Sequence, residues 1–362
     1  MKVVVSTPDV VGERMAGPGI RAMHLAEELA KHFDTTLIAK VEEGDPGDVV
    51  PRGTPEAREA IRAADVVVTQ TARDLKHIRR RQHVVCDLFD PLVIELRELY
   101  GNFPSMRQRV HLTAEWGRLL WSLRRADLLI AATNKQIDFY RKLQSNDTKW
   151  IVVPFGADQD APATRNPQAA TLVWGGGLWE WLDPALAVDA VVALNREGLA
   201  CDLLFMGRTR PNRDLVDRRR DDRFAKLLAK GGPYVSAMEW VPYRERLSWL
   251  ARGKVAIMLH RPTAEAAYSI RTRLFDAIAA AVPVVATEEG FAAELVAAEG
   301  LGIVVPPSDV RAVMQAVRRL LRDDVFHASC VSNLERIRPR FAWGVVARPL
   351  VERLQQWERS RN

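Results

Sequence analysis

The sequence has 362 residues, of which 48% are hydrophobic and 27% are charged. This composition excludes disordered and fibrous chains, and the length predicts two domains with a cleft between them. The net charge of +6, mostly from arginine, suits an anionic ligand, because the planar guanidinium group binds phosphate through paired hydrogen bonds. Nucleic acid or an anionic membrane surface would suit the same charge.

The cysteines and the amino-terminal residues bear on the cellular compartment. Cys86, Cys201 and Cys330 are far apart and lack metal-ligand spacing, which predicts buried thiols rather than a disulfide framework or a zinc site. Met1 and Lys2 lead directly into a short apolar strand rather than into a signal peptide. No apolar run reaches the roughly 18 residues that span a bilayer. We therefore predict a cytoplasmic location.

The first half alternates short β-branched runs with helical patterns, which is typical of βαβ units and a parallel sheet. Strands are predicted at 2–6, 35–39, 65–69, 83–86, 127–131 and 150–153. Helices are predicted at 19–32, 54–64, 110–125 and 134–143.

A polar segment at 156–169 contains prolines and predicts a linker, after which the alternation resumes. Strands are predicted at 171–174, 202–206, 234–238, 255–259, 283–286 and 302–305. Helices are predicted at 185–196, 223–230, 243–251, 272–281, 291–298 and 310–322.

The end of the chain, 342–359, has apolar residues at helical spacing, with Pro349 expected to kink or divide the helix. We expect this helix to pack back on the first domain. The predicted domains are thus 1–160, 161–340 and the returning segment 341–362.

The first glycine-rich segment is Gly17-Pro18-Gly19-Ile20-Arg21-Ala22. It precedes a predicted helix and fits a loose G-x-G-x-x-A pattern, so Gly17, Gly19 and Arg21 are candidates to bind a diphosphate at the helix start. About ten residues separate the first predicted strand from Gly17, whereas the dinucleotide motif uses a tight turn, which argues against a nicotinamide cofactor. A surface loop with a glycine at the helix start is the alternative.

The second glycine-rich segment, Trp174-Gly175-Gly176-Gly177, directly follows the first strand of the second half. Ligands of open α/β sheets bind outside the carboxyl ends of the strands, so Gly176 and Gly177 are candidates to approach a nucleotide. A purely structural turn is the alternative. Arg208 follows the next predicted strand and is a candidate phosphate ligand, although arginines on solvated loops are commoner.

Residues 260–286 read HRPTAEAAYSIRTRLFDAIAAAVPVVA. The segment resembles the donor-binding region of the retaining family 4 glycosyltransferases, in a bacterial subgroup with a Ser-x-Arg-Thr-Arg-x-x-Asp motif. Further similarities to that subgroup lie at 87–91, 178–184 and 240–243, so the resemblance covers most of the chain. It implies the GT-B fold, in which two Rossmann-like α/β domains face each other across a cleft.

The resemblance also implies roles for individual residues. Asp276 takes the place of the second acid of the family's Glu-x7-Glu element, which binds the ribose hydroxyls. Tyr268 stands eight residues before it, so Glu265, on a longer loop, is the counterpart of the first acid, which contacts the transferred sugar and its leaving phosphate. The family's Arg-x4-Lys clamp is not found in its usual form. Arg208, Arg271 and Arg273 are the candidates to replace it, with Ser269 and Thr272 at the same helix start.

The implied activity is a retaining, metal-independent hexosyl transfer from a nucleotide-diphosphate sugar to a hydroxyl of a glycan, lipid-linked or natural-product acceptor. No cofactor beyond the donor substrate and no metal is expected. Asp87 and Asp90 end a predicted strand and are candidates to orient or deprotonate the acceptor, although helix capping before Pro91 explains them equally well.

Three alternatives remain open from the sequence. A GT-B sugar-nucleotide epimerase or pseudo-glycosyltransferase would share the donor site, and an NAD-dependent oxidoreductase would use 17–22. A nucleic-acid binder would use the run 218–220, but neighbouring aspartates and the lack of aromatic residues favour a solvated helix face, so no nucleic-acid partner is expected. A peripheral membrane contact is retained as a further expectation.

Overall fold

The structure is a computed structural model that describes residues 1–42, 47–144, 149–160, 170–207 and 218–360, except for the side chains of 218–221. It divides into two compact units. The first comprises 1–156, 268–270 and 343–362, and the second comprises 157–267 and 271–342. The amino-terminal segment of the first unit thus ends at Gly156, a few residues before the predicted boundary at 160.

The described part of the first unit contains a seven-stranded parallel sheet in the order β3-β2-β1-β4-β5-β6-β7. Its strands are β1 (Lys2–Val11), β2 (Asp34–Val41), β3 (Val49–Pro51), β4 (Val66–Thr69), β5 (His83–Asp87), β6 (Leu128–Ala131) and β7 (Trp150–Val152). Its helices before the linker are α1 (Gly17–Ala30), α2 (Pro55–Ala63), α3 (Leu92–Tyr100), α4 (Met106–Arg125) and α5 (Asn134–Arg141).

Strand β1 extends five residues beyond the predicted strand at 2–6. Its pairing with β2 shifts register between Ser6 and Val10, a stretch that contains Pro8, which has no amide hydrogen to donate. Because β1 ends at Val11 and α1 begins at Gly17, the connection between them is 12–16. The turn is therefore shorter than the sequence predicted.

The described part of the second unit contains a six-stranded parallel sheet in the order β10-β9-β8-β11-β12-β13. Its strands are β8 (Thr171–Trp174), β9 (Asp202–Phe205), β10 (Val235–Ala237), β11 (Val255–Met258), β12 (Val284–Thr287) and β13 (Gly302–Val305). Its helices are α6 (Pro184–Arg196), α7 (Arg218–Gly231), α8 (Arg246–Leu250), α9 (Ala264–Tyr268), α10 (Thr272–Ala280), α11 (Gly290–Glu299), α12 (Val310–Arg322) and α13 (Asp324–Ile337).

Both sheets follow the Rossmann strand order, with the strand order reversing beside the first strand of each unit. The prediction of two parallel Rossmann-like sheets is therefore confirmed. Helix α13 was not predicted, and it begins where the Asp323 carboxylate accepts a hydrogen bond from the amide of Phe326.

The carboxyl-terminal helices, α14 (Trp343–Val346) and α15 (Arg348–Arg359), are grouped with the first unit. Pro349 lies in the first turn of α15, where its missing amide hydrogen costs nothing, so it starts this helix rather than kinking it. Trp357 stacks on His83 with ring centroids 4.2 Å apart, and Trp343 stacks on His24 at 4.6 Å. These ring contacts hold both ends of the segment against the unit.

Candidate functional site

The glycine-rich segment of the first unit forms the beginning of α1. A Cβ atom on Gly19 would lie 2.1 Å from the carbonyl oxygen of Val10, so this glycine is needed where α1 packs against β1. Gly17 is the first residue of the helix, which has no side-chain cap at its start. A diphosphate at Gly17 stays a prediction, whereas Gly19 has a packing reason of its own.

Arg21 and Asp87 form a buried ion pair in the same unit. The Nε and Nη2 atoms of Arg21 donate to the two carboxylate oxygens of Asp87, at 2.8 and 3.0 Å. Nη1 and Nη2 also donate to the carbonyls of Pro154 and Val153, at 2.9 and 3.0 Å. Neither side chain is accessible to a ligand. This pairing argues against Arg21 as a diphosphate ligand and against Asp87 as a proton acceptor, and both assignments stay predictions.

Asp90 is half-buried between β5 and α3. The amide of Leu92, the first residue of α3, donates to the main-chain carbonyl of Asp90 at 2.8 Å. Helix capping therefore stays the structural alternative for this aspartate. Asp90 remains a predicted acceptor-side residue of the first unit.

The glycine loop of the second unit follows β8 and lies against aromatic residues. Gly176 has a φ of +72°, which favours glycine. A Cβ atom on Gly177 would lie 3.0 Å from the ring of Trp240. The loop then joins the end of β11, since the amide of Asp183 donates to the carbonyl of Leu259 at 3.0 Å. The backbone at Gly176 and Gly177 is thus held in place at the carboxyl edge of the sheet.

Two arginines from the start of α10 extend this site. Arg273 donates from Nη2 to the carbonyl of Gly177 at 3.1 Å, and its guanidinium lies over the ring of Trp174. Burial, and next the charge of Arg271, lower the pKa of Arg273 to about 9. Nη1 of Arg273 and Nε of Arg271 are buried and have no hydrogen-bond partner among the described residues. An anion at this position would supply the missing acceptors and offset the repulsion between the two cations.

Glu265 is the partner of Arg271. The two side chains are buried and joined by parallel hydrogen bonds, Nη1 to Oε1 at 2.5 Å and Nη2 to Oε2 at 2.7 Å. The sequence placed Glu265 on a loop, but it lies in the short helix α9. Because both carboxylate oxygens bond to Arg271 and the residue is fully buried, Glu265 is placed to position Arg271. The contact of Glu265 with a transferred sugar stays a prediction.

His260 lies two residues after β11 and is also buried. Burial, and next the positive charge of Arg271, lower the pKa of His260, so the neutral imidazole is favoured. Its Nδ1 lies 3.1 Å from the carbonyl oxygen of Arg261, which favours the tautomer with hydrogen on Nδ1.

Asp276 belongs to a second cluster of charges in this unit. Arg246 of α8 donates from Nε to Asp276 at 2.9 Å and from Nη2 to Asp158 at 2.6 Å, and its guanidinium lies over the ring of Tyr243. Burial raises the pKa of Asp276, and Arg246 acts in the opposite direction. The sequence did not identify Arg246 or Asp158, which lie 30 and 118 residues from Asp276 (276 − 246 and 276 − 158). No local pattern marks such a pair.

The remaining predicted residues have mixed outcomes. Thr272 is the first residue of α10 and is half-buried, and Ser269 is buried with its hydroxyl unpartnered among the described residues. Arg208 lies outside the described residues. Within the second unit, the structure therefore brings together the glycine loop, Arg271, Arg273 and Glu265.

Gly290 supports α9 and makes a first prediction. Its φ is +78°, and an added Cβ would lie 2.3 Å from the carbonyl oxygen of Ala266, next to Glu265. We expect Gly290→Ala to lower the free energy of unfolding by at least about 2 kcal/mol, measured by urea denaturation. Gly198→Ala is the matched control, because Gly198 has the same φ of +78° and no atom within 4 Å of the added carbon. Equal losses of stability in both variants would show that the close packing of Gly290 against α9 does not contribute to the effect.

In the part of the chain that the structure describes, no cluster of three or more histidine, cysteine or acidic side chains could hold a metal ion. Among the same residues, no helix is long and apolar enough to cross a membrane.

Comparison with known proteins gives a family match and several structural matches. A family profile described as "Glycosyl transferases group 1" matches residues 169–323, which supports a domain of that kind in this part of the chain. A search of curated proteins found no significant match to the sequence.

Among solved structures, sucrose-phosphate synthase from Thermosynechococcus elongatus has a TM-score of 0.73, 16% identity and 99% coverage of both chains. HepE of Anabaena, in complex with UDP-glucose, has a TM-score of 0.73 and 15% identity, over 98% of this chain and 100% of that one. WaaG, described as a glycosyltransferase involved in lipopolysaccharide biosynthesis, has a TM-score of 0.70 and 16% identity, over 97% and 98%. These similarities show that the chain has the GT-B fold.

Proposed function

We propose that this protein transfers a hexose from a nucleotide-diphosphate sugar to a hydroxyl acceptor, with retention of the anomeric configuration and without a metal ion. The group 1 family match supports a glycosyl transfer reaction. HepE of Anabaena is known in complex with UDP-glucose and with UDP, which supports a nucleotide-sugar donor here.

The observation that carries the proposal is the pair of incompletely bonded cations beside the glycine loop. As the bond from the sugar to the diphosphate breaks, negative charge grows on the leaving oxygen. Arg271 and Arg273 offer buried N–H groups that lack acceptors among the described residues, and the loop backbone at Gly177 lies against Arg273. Such fixed cations would stabilise the departing diphosphate without proton transfer.

Asp276 is the proposed ribose ligand. Its carboxylate keeps about a third of its side-chain surface exposed, although Arg246 already binds Oδ1. An ionised carboxylate held by one arginine can still accept hydrogen bonds from a ribose diol. The acceptor is proposed to be a saccharide, a lipid-linked molecule or a natural product, with Asp90 of the first unit as the candidate to orient its hydroxyl.

The first test measures thermal stabilisation of the protein by nucleoside diphosphates and by NAD. We expect at least one nucleoside diphosphate to raise Tm by mass action and NAD to leave it unchanged. Calorimetric titration should then show that Asp276→Asn lowers the affinity for the preferred nucleotide roughly ten-fold to a hundred-fold, because the substitution removes a charged hydrogen-bond acceptor. Asp189→Asn is the matched control, since Asp189 also pairs with a cation, Lys230, on the surface of the same unit.

Stabilisation by NAD without stabilisation by any nucleoside diphosphate would contradict the proposal and favour an oxidoreductase.

The anomeric configuration of the product, read by proton NMR with the preferred donor, tests retention. Conversion of the donor sugar with no acceptor present would instead favour the epimerase alternative. Unchanged turnover after exhaustive chelation is the expected result for a metal-independent reaction.

A further inference from the structure

The turn that follows β12 in the second unit has an unusual backbone. Among the described residues other than glycine, a positive φ occurs at Ala281, Glu289 and Ser308. Ala281 has the ordinary left-handed conformation that ends a helix. Glu289 differs, because its φ of +84° and ψ of 142° lie close to a region that glycine occupies almost alone.

Neither packing nor helix capping accounts for the conformation of Glu289. The residue directly precedes α11, but its side chain makes no capping hydrogen bond to that helix. The side chain is exposed, so burial in the core does not offset the strain. Strained residues of this kind persist where the surrounding structure imposes them, and they cluster at ligand sites. The conformation therefore points to a role for the exposed carboxylate.

Glu289 lies at the edge of the sheet that carries the candidate donor site. The amide of His260, which follows β11, donates to the hydroxyl of Thr287 in β12 at 3.0 Å, so the ends of these two strands are joined. Burial lowers the pKa of His260; the charge of Arg271 adds to this effect, and the charge of Glu289 opposes it. Arg271 and Glu289 thus act on the same imidazole from within the second unit.

Two glutamates at this edge differ in what they bond to. Both carboxylate oxygens of Glu265 bond to Arg271. In the described ranges, no residue forms a hydrogen bond or ion pair with the carboxylate of Glu289. The Nε atom of Arg271 is buried and lacks a hydrogen-bond acceptor among the same residues, which favours a bound anion there. An uncommitted carboxylate near a position for the diphosphate is suited to the hydroxyl groups of the attached sugar.

We propose that Glu289 binds hydroxyl groups of the transferred sugar and thereby selects among donor sugars. This role rests on the proposed function, because the sugar reaches Glu289 as part of the nucleotide-sugar donor. An ionised carboxylate has two acceptor oxygens, so it can bind two neighbouring hydroxyls of a sugar ring. A sugar that lacks one of these hydroxyls, or carries it on the other face of the ring, loses a charge-assisted hydrogen bond.

The test compares the affinity of Glu289→Gln for a nucleotide sugar and for the matching nucleoside diphosphate by titration calorimetry. The ligands are UDP-glucose with UDP, GDP-mannose with GDP and ADP-glucose with ADP, and the pair that the parent protein binds most tightly is followed. We expect the affinity for the nucleotide sugar to fall roughly ten-fold to a hundred-fold, because a charged acceptor is lost. The affinity for the nucleoside diphosphate should stay unchanged.

Donor analogues identify the contact directly. In each analogue, fluorine replaces one hydroxyl of the sugar. The analogue that lacks a contacted hydroxyl should lose less affinity for Glu289→Gln than for the parent protein, because the variant has already lost that hydrogen bond. A purely structural role of Glu289 would give the same loss in both proteins.

Glycine variants separate ligand binding from stability. Glu289→Gly should have a higher Tm than Glu289→Ala, because glycine adopts this backbone conformation without strain. Both variants should bind the nucleotide sugar as weakly as Glu289→Gln does. Ser308→Gly is the matched control, since Ser308 has a φ of +61° and is exposed in the same unit. Its affinity for the nucleotide sugar should equal that of the parent protein.

The outcomes distinguish the role of Glu289 from the transfer function. An unchanged affinity of Glu289→Gln for the nucleotide sugar would overturn the role and leave the transfer function in place. An equal loss for the nucleotide sugar and the nucleoside diphosphate would do the same. If the parent protein bound none of these ligands, the proposed function would fail, and the role of Glu289 would fail with it.

Discussion

Glu265→Ala is expected to lower the free energy of unfolding by about 3–5 kcal/mol, because it leaves the buried charge of Arg271 without its partner. Urea denaturation measures this loss. Replacing both residues with apolar ones of similar size, Glu265→Leu with Arg271→Met, should recover most of the stability, since no buried charge then remains. Glu299→Gln is the control, because Glu299 also binds two arginines, Arg336 and Arg340, but on the surface, where ion pairs contribute about 1 kcal/mol or less.

Ligand binding separates a positioning role of Glu265 from direct contact with the sugar. If Glu265 only orients Arg271, then Glu265→Gln should weaken the binding of the free nucleoside diphosphate and of the nucleotide sugar by the same factor, because both ligands contain the diphosphate. If Glu265 touched the sugar, affinity for the nucleotide sugar alone would fall. Turnover of the double variant Glu265→Gln with Arg271→Gln should match the worse single variant, as expected of residues that act as one unit. If the loss of turnover in the double variant equalled the product of the two single losses, the positioning role would be contradicted.

The sheets could be predicted from the sequence because buried parallel strands appear as short apolar runs between helical patterns. Strands such as β12 and β13 lie close to their predicted ranges for this reason. Strand β1 was predicted too short, because Pro8 and Asp9 interrupt its apolar run while β2 continues to pair beyond them. Tertiary pairing extends a strand past a point where local composition alone predicts a turn.

The site was less predictable, because its side chains are paired across the fold. The motif predicted that Glu265, Arg271 and Arg273 lie near one another. It did not indicate that both carboxylate oxygens of Glu265 would bond to Arg271. The partner of Asp276 is Arg246, whose position depends on the packing of α8 against α10. The partner of Asp87 is Arg21, 66 residues away. Spacing rules describe neighbours on one helix or strand and carry no information on such pairs.

The Arg21–Asp87 pair yields the second prediction of a large effect. Arg21→Ala removes the cation that binds both oxygens of Asp87 and the carbonyls of Val153 and Pro154. We expect a loss of about 3–5 kcal/mol in the free energy of unfolding, because the buried Asp87 carboxylate keeps only a 3.3 Å hydrogen bond from Gln70 and the two carbonyls lose this donor. Asp87→Asn keeps the shape and some hydrogen bonds, so its loss of stability should be smaller.

Comparing Asp87→Asn with Asp90→Asn decides which aspartate serves the acceptor. A general base contributes roughly a hundred-fold to ten-thousand-fold to the rate, so its loss would be evident in the release of nucleoside diphosphate by folded enzyme. Asp87→Asn should retain most of that turnover while losing stability, because the Asp87 carboxylate is buried in an ion pair with Arg21. Asp90→Asn should lose turnover with little change in stability, because Asp90 lies half-exposed between β5 and α3. The reverse pattern would restore Asp87 as the base and imply that the Arg21 pair opens during the reaction.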